Sequence, residues 1–555
     1  FIEFGVVLSF AVIFSSLIAL TLTPMLCSKI MKHDRQEKSE PKLLIKFKKF
    51  YEESLNFSQN NVKYVYMFSA AVVLISVILF QFISKELAPT EDRGIFIISV
   101  QGPEGATLKY TDKIVKEVEK ELQTYVDNNE IKTLFSIVAP GFTGQAGASN
   151  SAFLFASLQP WDIRDRHQKA IVREIFPKLI SMPGARIFTI NPPSLGQNPF
   201  RSQVQLVISG DNYEDVGQWG NALKNEASIL NLRAPNIDYT VNNPRLNLKI
   251  NREKASELGI TAEQLTKTIE TLFASNRITT FSDRGLTYNV VLQAKKDFRI
   301  NKNSFDNVFL KSPKFNKLIP LSNFVSFEET SVSKELKRIN RMPSTILSAS
   351  LIPGYPLGDA LDDITSLSEE VLPINARLSY TGASREFFES GNKLELTILF
   401  AILVVYLVLA AQFESFRYPL TIMLSVPIAM TAGVYTLFVT GASLNVYSQI
   451  GFLMLIGLIT KNGILVVEFA NKLREDGLNV EDAIYKSSLI RLRPVLMTTI
   501  STMFGAIPLV LSSGAGAESR YSMAAVVFGG ITLSALITLY LIPALYKFIE
   551  AKKEF

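Results

Sequence analysis

The chain has 555 residues, of which 48% are hydrophobic and 19% are charged, and its formal net charge is +6 at pH 7. This composition is too apolar for an ordinary soluble protein, and the charged fraction requires a substantial water-facing part. A single cysteine, Cys27, excludes an intramolecular disulfide framework and a thiolate zinc site. His33 and His167 are isolated in polar surroundings, so we expect solvated surface histidines. The chain starts at Phe1 in apolar sequence without signal-peptide features, which favours an interior point of a longer protein.

Seven segments are apolar over about 20 residues, the length that crosses a bilayer. They are residues 4–26, 64–83, 394–411, 419–440, 446–470, 494–512 and 522–548. Seven such segments favour membrane spans over buried helices of a soluble core. Eight Lys and Arg residues follow the first segment, so the positive-inside rule predicts a cytoplasmic loop there. Counting spans then places residues 85–391 outside, and the later short basic loops agree.

Residues 43–51, in the first loop, combine a basic face with an apolar face. This pattern is typical of a helix that lies along the membrane surface. A solvated linker is the alternative interpretation.

The large outer region alternates strands and helices. Strands at 95–100, 134–138, 153–158 and 185–190 with helices at 106–126 and 164–180 give β-α-β-β-α-β, the ferredoxin-like split pattern. A second unit follows, with a strand at 203–209, a helix at 213–230, a strand pair at 237–241 and 246–250, and a helix at 261–274 that Thr261 caps. Strand-rich residues 277–330 interrupt it, and 344–351, 357–371 and 377–381 complete it. We predict two α+β modules with an insertion that contacts other chains.

Six stretches, taken together and in order, carry a family resemblance. They are residues 20–27, 87–94, 409–415, 457–470, 491–499 and 508–516. With them the chain resembles the C-terminal half of a resistance-nodulation-division transporter of the hydrophobe/amphiphile efflux kind. The resemblance implies a polytopic α-helical membrane protein whose seven spans are the sixth to twelfth, with two ferredoxin-like porter modules and a docking insertion.

The implied domains follow the chain. They are 1–27, a span; 28–63, a cytoplasmic basic loop with a surface helix; 64–84, a span; 85–202, the first periplasmic porter module; 203–276 and 331–391, the second; 277–330, the docking-type insertion; 392–548, a five-span region; and 549–555, a cytoplasmic tail.

The resemblance also implies a function. Such proteins form homotrimers in the bacterial inner membrane, with the large domain in the periplasm, and export small amphiphilic substrates by proton antiport. The implied partners are membrane lipid, a periplasmic adaptor protein, an outer-membrane channel and the missing N-terminal half. No enzymatic role, cofactor, metal or nucleic acid is implied, since the proton gradient drives transport.

Lys461 lies in the middle of the span at 446–470, where a charge is costly unless it faces a protein interior or wet cavity and has a partner. It is about nine residues, roughly 13 Å, from the cytoplasmic end, too far for its side chain to reach the surface comfortably. A titrating carboxylate beside it would couple protonation to helix movement. The resemblance implies that Lys461 is the proton-relay lysine. Glu395 and Glu468 lie at other depths, and the family's paired aspartates belong to a fourth span outside this chain.

Three further residues are implied in the proton relay. Thr498 matches a hydroxyl partner, although a threonine in a span also bonds its own helix backbone. Arg491 matches a basic residue at the cytoplasmic mouth, although an ordinary positive-inside anchor explains it equally. Asn462 is a candidate for a hydrogen bond between helices.

The resemblance also implies a deep drug pocket with a movable loop. The implied pocket residues are Phe135, Ile137, Phe142 and Phe155. The implied switch loop contains Gly141, Gly144 and Gly147, because glycines permit the backbone change. Pro140 replaces a frequent aromatic residue, which affects loop mobility and substrate range. From the residues alone, alternating aromatics in strands favour a protein core.

Two alternatives stay open. A metal exporter of the same superfamily would use methionine clusters, since thioethers suit Cu(I), but the outer region has only Met182 and Met342 in unrelated contexts. A non-transporting half-protein with a scaffold or regulatory role is the other. No nucleophile elbow, Walker sequence or metal-ligand cluster indicates an enzyme.

Overall fold

We describe a computed structural model of the chain. It describes residues 2–30, 42–103, 105–140, 148–195, 198, 202–298, 302–333, 335–352 and 354–551. The first three helices are α1 (Ile2–Ile30), α2 (Lys42–Asn60) and α3 (Val62–Phe80). An α+β region follows, and six helices close the chain: α10 (Gly382–Phe413), α11 (Arg417–Met423), α12 (Ser425–Thr440), α13 (Val446–Glu475), α14 (Val480–Val510) and α15 (Ala517–Ala551).

The α+β region begins with a four-stranded module. Its elements are β1 (Ile95–Gln101), α4 (Leu108–Asp127), β2 (Ile131–Val138), β3 (Ser151–Leu158), α5 (Gln168–Ile180) and β4 (Arg186–Ile190). The element order matches the predicted β-α-β-β-α-β, and the strands form one antiparallel sheet in the order β2-β3-β1-β4. On α4, Ile114, Val118 and Leu122 follow at four-residue spacing, so they share one face and pack on the sheet.

A second module is built around β14. The elements that follow β4 are β5 (Val204–Ser209), α6 (Tyr213–Ala227), β6 (Leu232–Ile237), β7 (Val241–Ile250), α7 (Arg252–Glu257), α8 (Ala262–Phe273), β8 (Asn276–Asp283), β9 (Leu286–Leu292), β10 (Phe309–Lys311), β11 (Leu318–Pro320), β12 (Val325–Ser333), β13 (Lys337–Ile339), β14 (Met342–Leu351), α9 (Leu357–Val371) and β15 (Arg377–Tyr380). The sheet order is β13-β14-β5-β15, with β6 paired to β14. Helices α6 and α9 bury their apolar sides with this sheet.

The predicted strand pair at 237–241 and 246–250 is wrong. Strand β6 pairs with β14, and β7 pairs with β12. The chain turns away after Ile237, which is buried in the core of the second module. The carboxylate of Asp238 then accepts hydrogen bonds from the backbone N–H of Ile346 at 2.7 Å and the hydroxyl of Thr345 at 2.8 Å. These bonds hold β6 in one sheet and direct β7 toward another.

The intervening segment has its own small core. Helices α7 and α8 pack with residues 305–325, and the rings of Phe273 and Phe305 stack with centroids 4.1 Å apart. Thr261 caps α8 as predicted, in a reciprocal capping box with Gln264. The β8–β9 hairpin projects from this core, and nearly all its side chains are exposed.

Seven helices among the described residues are long and apolar enough to cross a membrane, in agreement with the seven predicted segments. The fourth is divided into α11 and α12 at Leu424, three residues before Pro427, whose ring lacks a backbone N–H. Helices α12, α13, α14 and α15 pack into one bundle with a common apolar core. In contrast, residues 5–30 of α1 are exposed along their whole length.

Helix α2 binds α15 where a proline removes one backbone hydrogen bond of that helix. Pro543 has no N–H, so the carbonyl of Leu539, four residues earlier, loses its helical partner. The hydroxyl of Tyr51, which is only 2% exposed, donates to that carbonyl at 2.9 Å. Leu55 is buried one turn later. The amphipathic stretch is therefore a helix that packs on the bundle, and its location at the membrane surface stays a prediction.

Candidate functional site

Helix α13 carries two of the residues predicted to relay protons, Lys461 and Asn462. Asn445 starts it by accepting hydrogen bonds from the N–H groups of Tyr447 and Ser448, and the hydroxyl of Ser448 accepts from the Asn445 N–H. Thirty residues follow in one helix, so side chains three or four positions apart share a face.

One face of α13 packs tightly on its neighbours. A Cβ on Gly463 would lie 2.9 Å from Ile422, and one on Gly451 would lie 2.9 Å from the carbonyl oxygen of Met523. Both contacts are shorter than atoms tolerate, so glycine permits the close approach of α13 to α11 and α15. Asn462 is buried beside Gly463.

The other face of α13 is open among the described residues. Gly457, Lys461 and Glu468 are all exposed, and they follow at spacings of four and seven residues, on one side of the helix. Seven residues separate Lys461 from Glu468 by about 10 Å along the axis, which is beyond an ion pair. Within the described part of the chain Lys461 forms no salt bridge. The two acids already assigned to other depths, Glu395 and Glu468, are therefore not its partners in this structure.

Helix α14 packs against α13 and carries the other predicted relay residues. The hydroxyl of Ser487 donates to the carbonyl of Val466 at 2.7 Å and ties the two helices together. Thr498 is half-buried, and its hydroxyl donates to the carbonyl of Val495 at 3.0 Å, as the local backbone alternative predicted. No hydrogen bond joins Thr498 to Lys461 among the described residues. Its relay role stays a prediction.

Arg491 joins the same two helices. Its guanidinium carbon lies 4.3 Å from the ring centroid of Phe469 on α13, a cation–π contact. Its Nε is buried and has no hydrogen-bond partner in the described part of the chain. The hydroxyl of Thr499, about two turns further along α14, is also buried without a described partner and was not predicted from the sequence. The signal was the adjacent pair of threonines in the stretch 491–499.

The first α+β module places the predicted pocket residues together. Antiparallel register puts Phe135, Phe155, Ile97 and Ile190 in one row across the sheet, and Ile137, Phe153, Ser99 and Phe188 in the next. Paired residues project to the same side. The core of the module lies on the opposite side, where Leu154 and Ile98 meet the helices. We name these two rows the aromatic face.

The aromatic face is partly open. Phe135 is 57% exposed, and its ring lies 6.2 Å from that of Phe155. Phe135 and Phe155 lie outside the core of the module, which the helices cover on the other side of the sheet. Their role as pocket residues stays a prediction. Phe153 and Phe188 were missed, since only the strand register reveals them. Phe142 and the glycines Gly141, Gly144 and Gly147 lie outside the described residues.

Arg233 contacts the aromatic face at its edge strand, β4, which carries Phe188. It comes from β6 of the second module, and its guanidinium carbon lies 3.5 Å from the ring centroid of Phe176 and 5.8 Å from that of Phe188. Burial lowers its pKa from the ordinary value of arginine. The two modules thus meet through a cation on aromatic rings.

Seven long apolar helices with an α+β region after the second define a polytopic membrane protein. The model of the AcrB/AcrD/AcrF family matches residues 1–550. The chain therefore belongs to this family of resistance-nodulation-division transporters, as its motifs predicted.

Several curated relatives align with the whole chain. An "Uncharacterized transporter" of Haemophilus influenzae is 31% identical over 571 residues, which cover 100% of this chain and 54% of the relative. Multidrug resistance protein MdtC of Photorhabdus laumondii is 29% identical over 98% of this chain and 53% of its own length. Multidrug resistance protein MdtF of Escherichia coli K12 is 28% identical, covering 99% and 54%. The chain spans about half the length of the curated relatives it matches.

Proposed function

We propose that the chain is the C-terminal half of a proton-driven efflux pump that exports amphiphilic drugs and other toxic compounds. The observation that carries this proposal is the placement of Lys461 on the open face of α13. A lysine at this depth needs a carboxylate, and the described part of this chain supplies none beside it. The missing N-terminal half would supply that carboxylate from a facing span.

The exposed surfaces of α13 and α1 support the same proposal, that another half of the protein packs on this chain. The face that carries Gly457, Lys461 and Glu468 has room for another helix, since no atom of the described residues lies within 4 Å of a Cβ built on Gly457. Helix α1 is apolar and exposed throughout residues 5–30. A second set of spans packed on both surfaces would enclose the lysine in a protein interior.

In the proposed relay, protonation of the facing carboxylate releases Lys461, and deprotonation recaptures it. The alternation moves α13, which is held closely to α15 at Gly451. Thr498, Arg491 and Asn462 would hold the proton path along α13 and α14. The cation–π contact of Arg491 with Phe469 across this helix pair supports that assignment.

We interpret the two α+β modules as ferredoxin-like porter modules in the periplasm. The aromatic face offers an apolar wall for amphiphilic substrates. The connection between β2 and β3 starts and ends beside this wall, because Val138 pairs with Ala152. The proposed switch loop, with Gly141, Gly144 and Gly147, belongs to this connection.

The partners follow from the family assignment. We propose a homotrimer in the bacterial inner membrane that works with a periplasmic adaptor protein and an outer-membrane channel. The exposed β8–β9 hairpin, with Phe281 and Tyr288 stacked at 5.4 Å, is a suitable contact for another chain. The metal-export alternative gains no support from Met182, because this residue packs against the core of the first module.

The test uses the full-length transporter in membrane vesicles. An imposed pH gradient should drive export of a fluorescent amphiphilic dye, and dye addition should raise proton flux. Collapse of the gradient with an ionophore should stop export. Dye export that persists without the gradient would contradict the antiport mechanism, and an absence of export under all gradients would favour the scaffold alternative.

A further inference from the structure

We infer that His167 and Glu518 are positioning residues that connect the last helix of the bundle to the first α+β module. This inference rests on the proposed function and adds a route by which α15 acts on the module. His167 precedes α5, and Glu518 lies in the first turn of α15, 351 positions further along the chain. The His167 Nε2 lies 3.1 Å from a carboxylate oxygen of Glu518.

Asp92 provides the fixed side of this contact. It is fully buried and forms a salt bridge with Arg164 at 2.6 Å, where both side chains are at most 1% exposed. It also accepts hydrogen bonds from the backbone N–H of Gln168 at 2.7 Å and of Gly94 at 3.0 Å. Arg164 in turn lies 3.9 Å from the ring centroid of Trp161. This network locks the start of β1 to the start of α5.

The imidazole of His167 stands between this network and α15. Its Nδ1 accepts the backbone N–H of Lys169 at 3.2 Å and lies 3.5 Å from Asp92, so the proton in this arrangement belongs on Nε2, facing Glu518. The second oxygen of Glu518, Oε2, is buried and has no hydrogen-bond partner among the described residues. This oxygen can therefore accept a hydrogen bond from another donor if α15 moves.

A second contact runs beside the first. The hydroxyl of Ser519 donates to the carboxylate of Glu91, and both residues are buried. Glu91 also pairs with Arg93 at 3.1 Å. Consecutive residues of α15 thus contact two parts of the first module. Glu518 contacts His167 before α5, and Ser519 contacts Glu91 in the segment that leads from α3 into β1.

The path from the lysine to the aromatic face is continuous. Helix α13 carries Lys461 and approaches the backbone of α15 closely at Gly451, near Met523. Five residues before Met523, Glu518 contacts His167. Helix α5 and strand β1 then carry any displacement into the sheet, since Ile97 on β1 pairs directly with Phe155.

The test measures export kinetics of the full-length transporter with Glu518→Ala, His167→Asn and the double variant, since an asparagine at 167 keeps an acceptor for the N–H of Lys169. Asp165→Ala is the matched control, since Asp165 is exposed in the same loop and forms no described contact with α15. Each single variant should lower the maximal export rate about tenfold, within the range typical of coupling between sites, while dye KM and apparent Tm stay unchanged. The double variant should be no worse than either single one, because both remove one contact.

Normal maximal rates in both single variants, or losses that add in the double variant, would overturn the inference. So would a fall in apparent Tm that accounts for the lost activity, since that marks a merely structural role. If the unmodified transporter itself fails to export, the proposed function is overturned, and this inference falls with it.

Discussion

Lys461 and Asn462 are neighbours in the chain but lie on different faces of α13. Asn462 is 6% exposed and sits beside Gly463, where α13 touches α11, whereas Lys461 lies on the open face. The helix thus separates a packed side from a side that is free to receive another helix. This division places Lys461 where a residue outside the described part of the chain can reach it.

The hydrogen bond from the Tyr51 hydroxyl to the Leu539 carbonyl of α15 should stabilise the bundle. Tyr51→Phe leaves the Leu539 carbonyl buried without a partner, which costs about 1–3 kcal/mol. The apparent Tm of the full-length protein in detergent should fall. Tyr64→Phe is the control, because Tyr64 is exposed on α3 and should leave Tm unchanged. Equal Tm values for the two variants would show that the bond does not hold α2.

Removal of one partner from the buried pair of Arg164 and Asp92 should be strongly destabilising. Arg164→Met leaves a fully buried carboxylate without its cation, a change that costs about 3–5 kcal/mol. The same substitution at Lys116, whose salt bridge with Asp112 is exposed, should give no measurable shift. Thermal unfolding measures the Tm of both variants. Similar Tm values would contradict the importance of the buried network.

The aromatic face and the core behind it should respond differently to alanine. Phe135→Ala should reduce export of large amphiphiles with little change in Tm, because the ring is mostly exposed. Leu154→Ala, on the opposite side of the same sheet, should lower stability by about 2–5 kcal/mol. Drug susceptibility and thermal unfolding separate the two effects. Normal export by a stable Phe135→Ala protein would remove this residue from the proposed pocket.

Acid should weaken the contact between α4 and α5. A hydrogen bond from Arg166 at 2.6 Å and one from Tyr125 at 2.9 Å hold the pKa of Glu174 below its ordinary value of 4.5. Since the folded pKa is the lower one, the stabilisation is complete above the ordinary value and is lost as pH falls through the folded value.

The matched variant for this contact is Glu174→Gln. The Tm difference between wild type and variant should be constant from neutral pH down to the ordinary pKa of glutamate and should shrink as the pH falls through the lower pKa of the folded state. A difference that grows as the pH falls would reverse the sign of the proposed linkage.

Local patterns predicted the elements well, but not every partner. Strands β1 to β4 and helices α4 and α5 were predicted because alternation and helical spacing are local properties. The pairing of β6 and β7 failed because their partners, β14 and β12, lie far along the chain. His167 was predicted to be a solvated surface histidine. Its side chain is 41% exposed, but the prediction missed the carboxylates of Asp92 and Glu518, which approach it only in the folded chain.

For Lys461, the sequence predicts a functional role but not the packing around the residue. Its cost in a membrane is evident from the residue type and its depth, so a functional role could be predicted. The face on which it lies depends on helix packing, and the glycines at 451 and 463 reveal that packing only when their neighbours are known.

The most direct measurement is dye export by the full-length transporter with Lys461→Ala, beside Lys472→Ala in the exposed last turn of the same helix. We expect Lys461→Ala to abolish export while expression and trimer assembly stay normal, and Lys472→Ala to export like wild type. Retained export in the Lys461→Ala protein would contradict the proton-relay role on which the account depends.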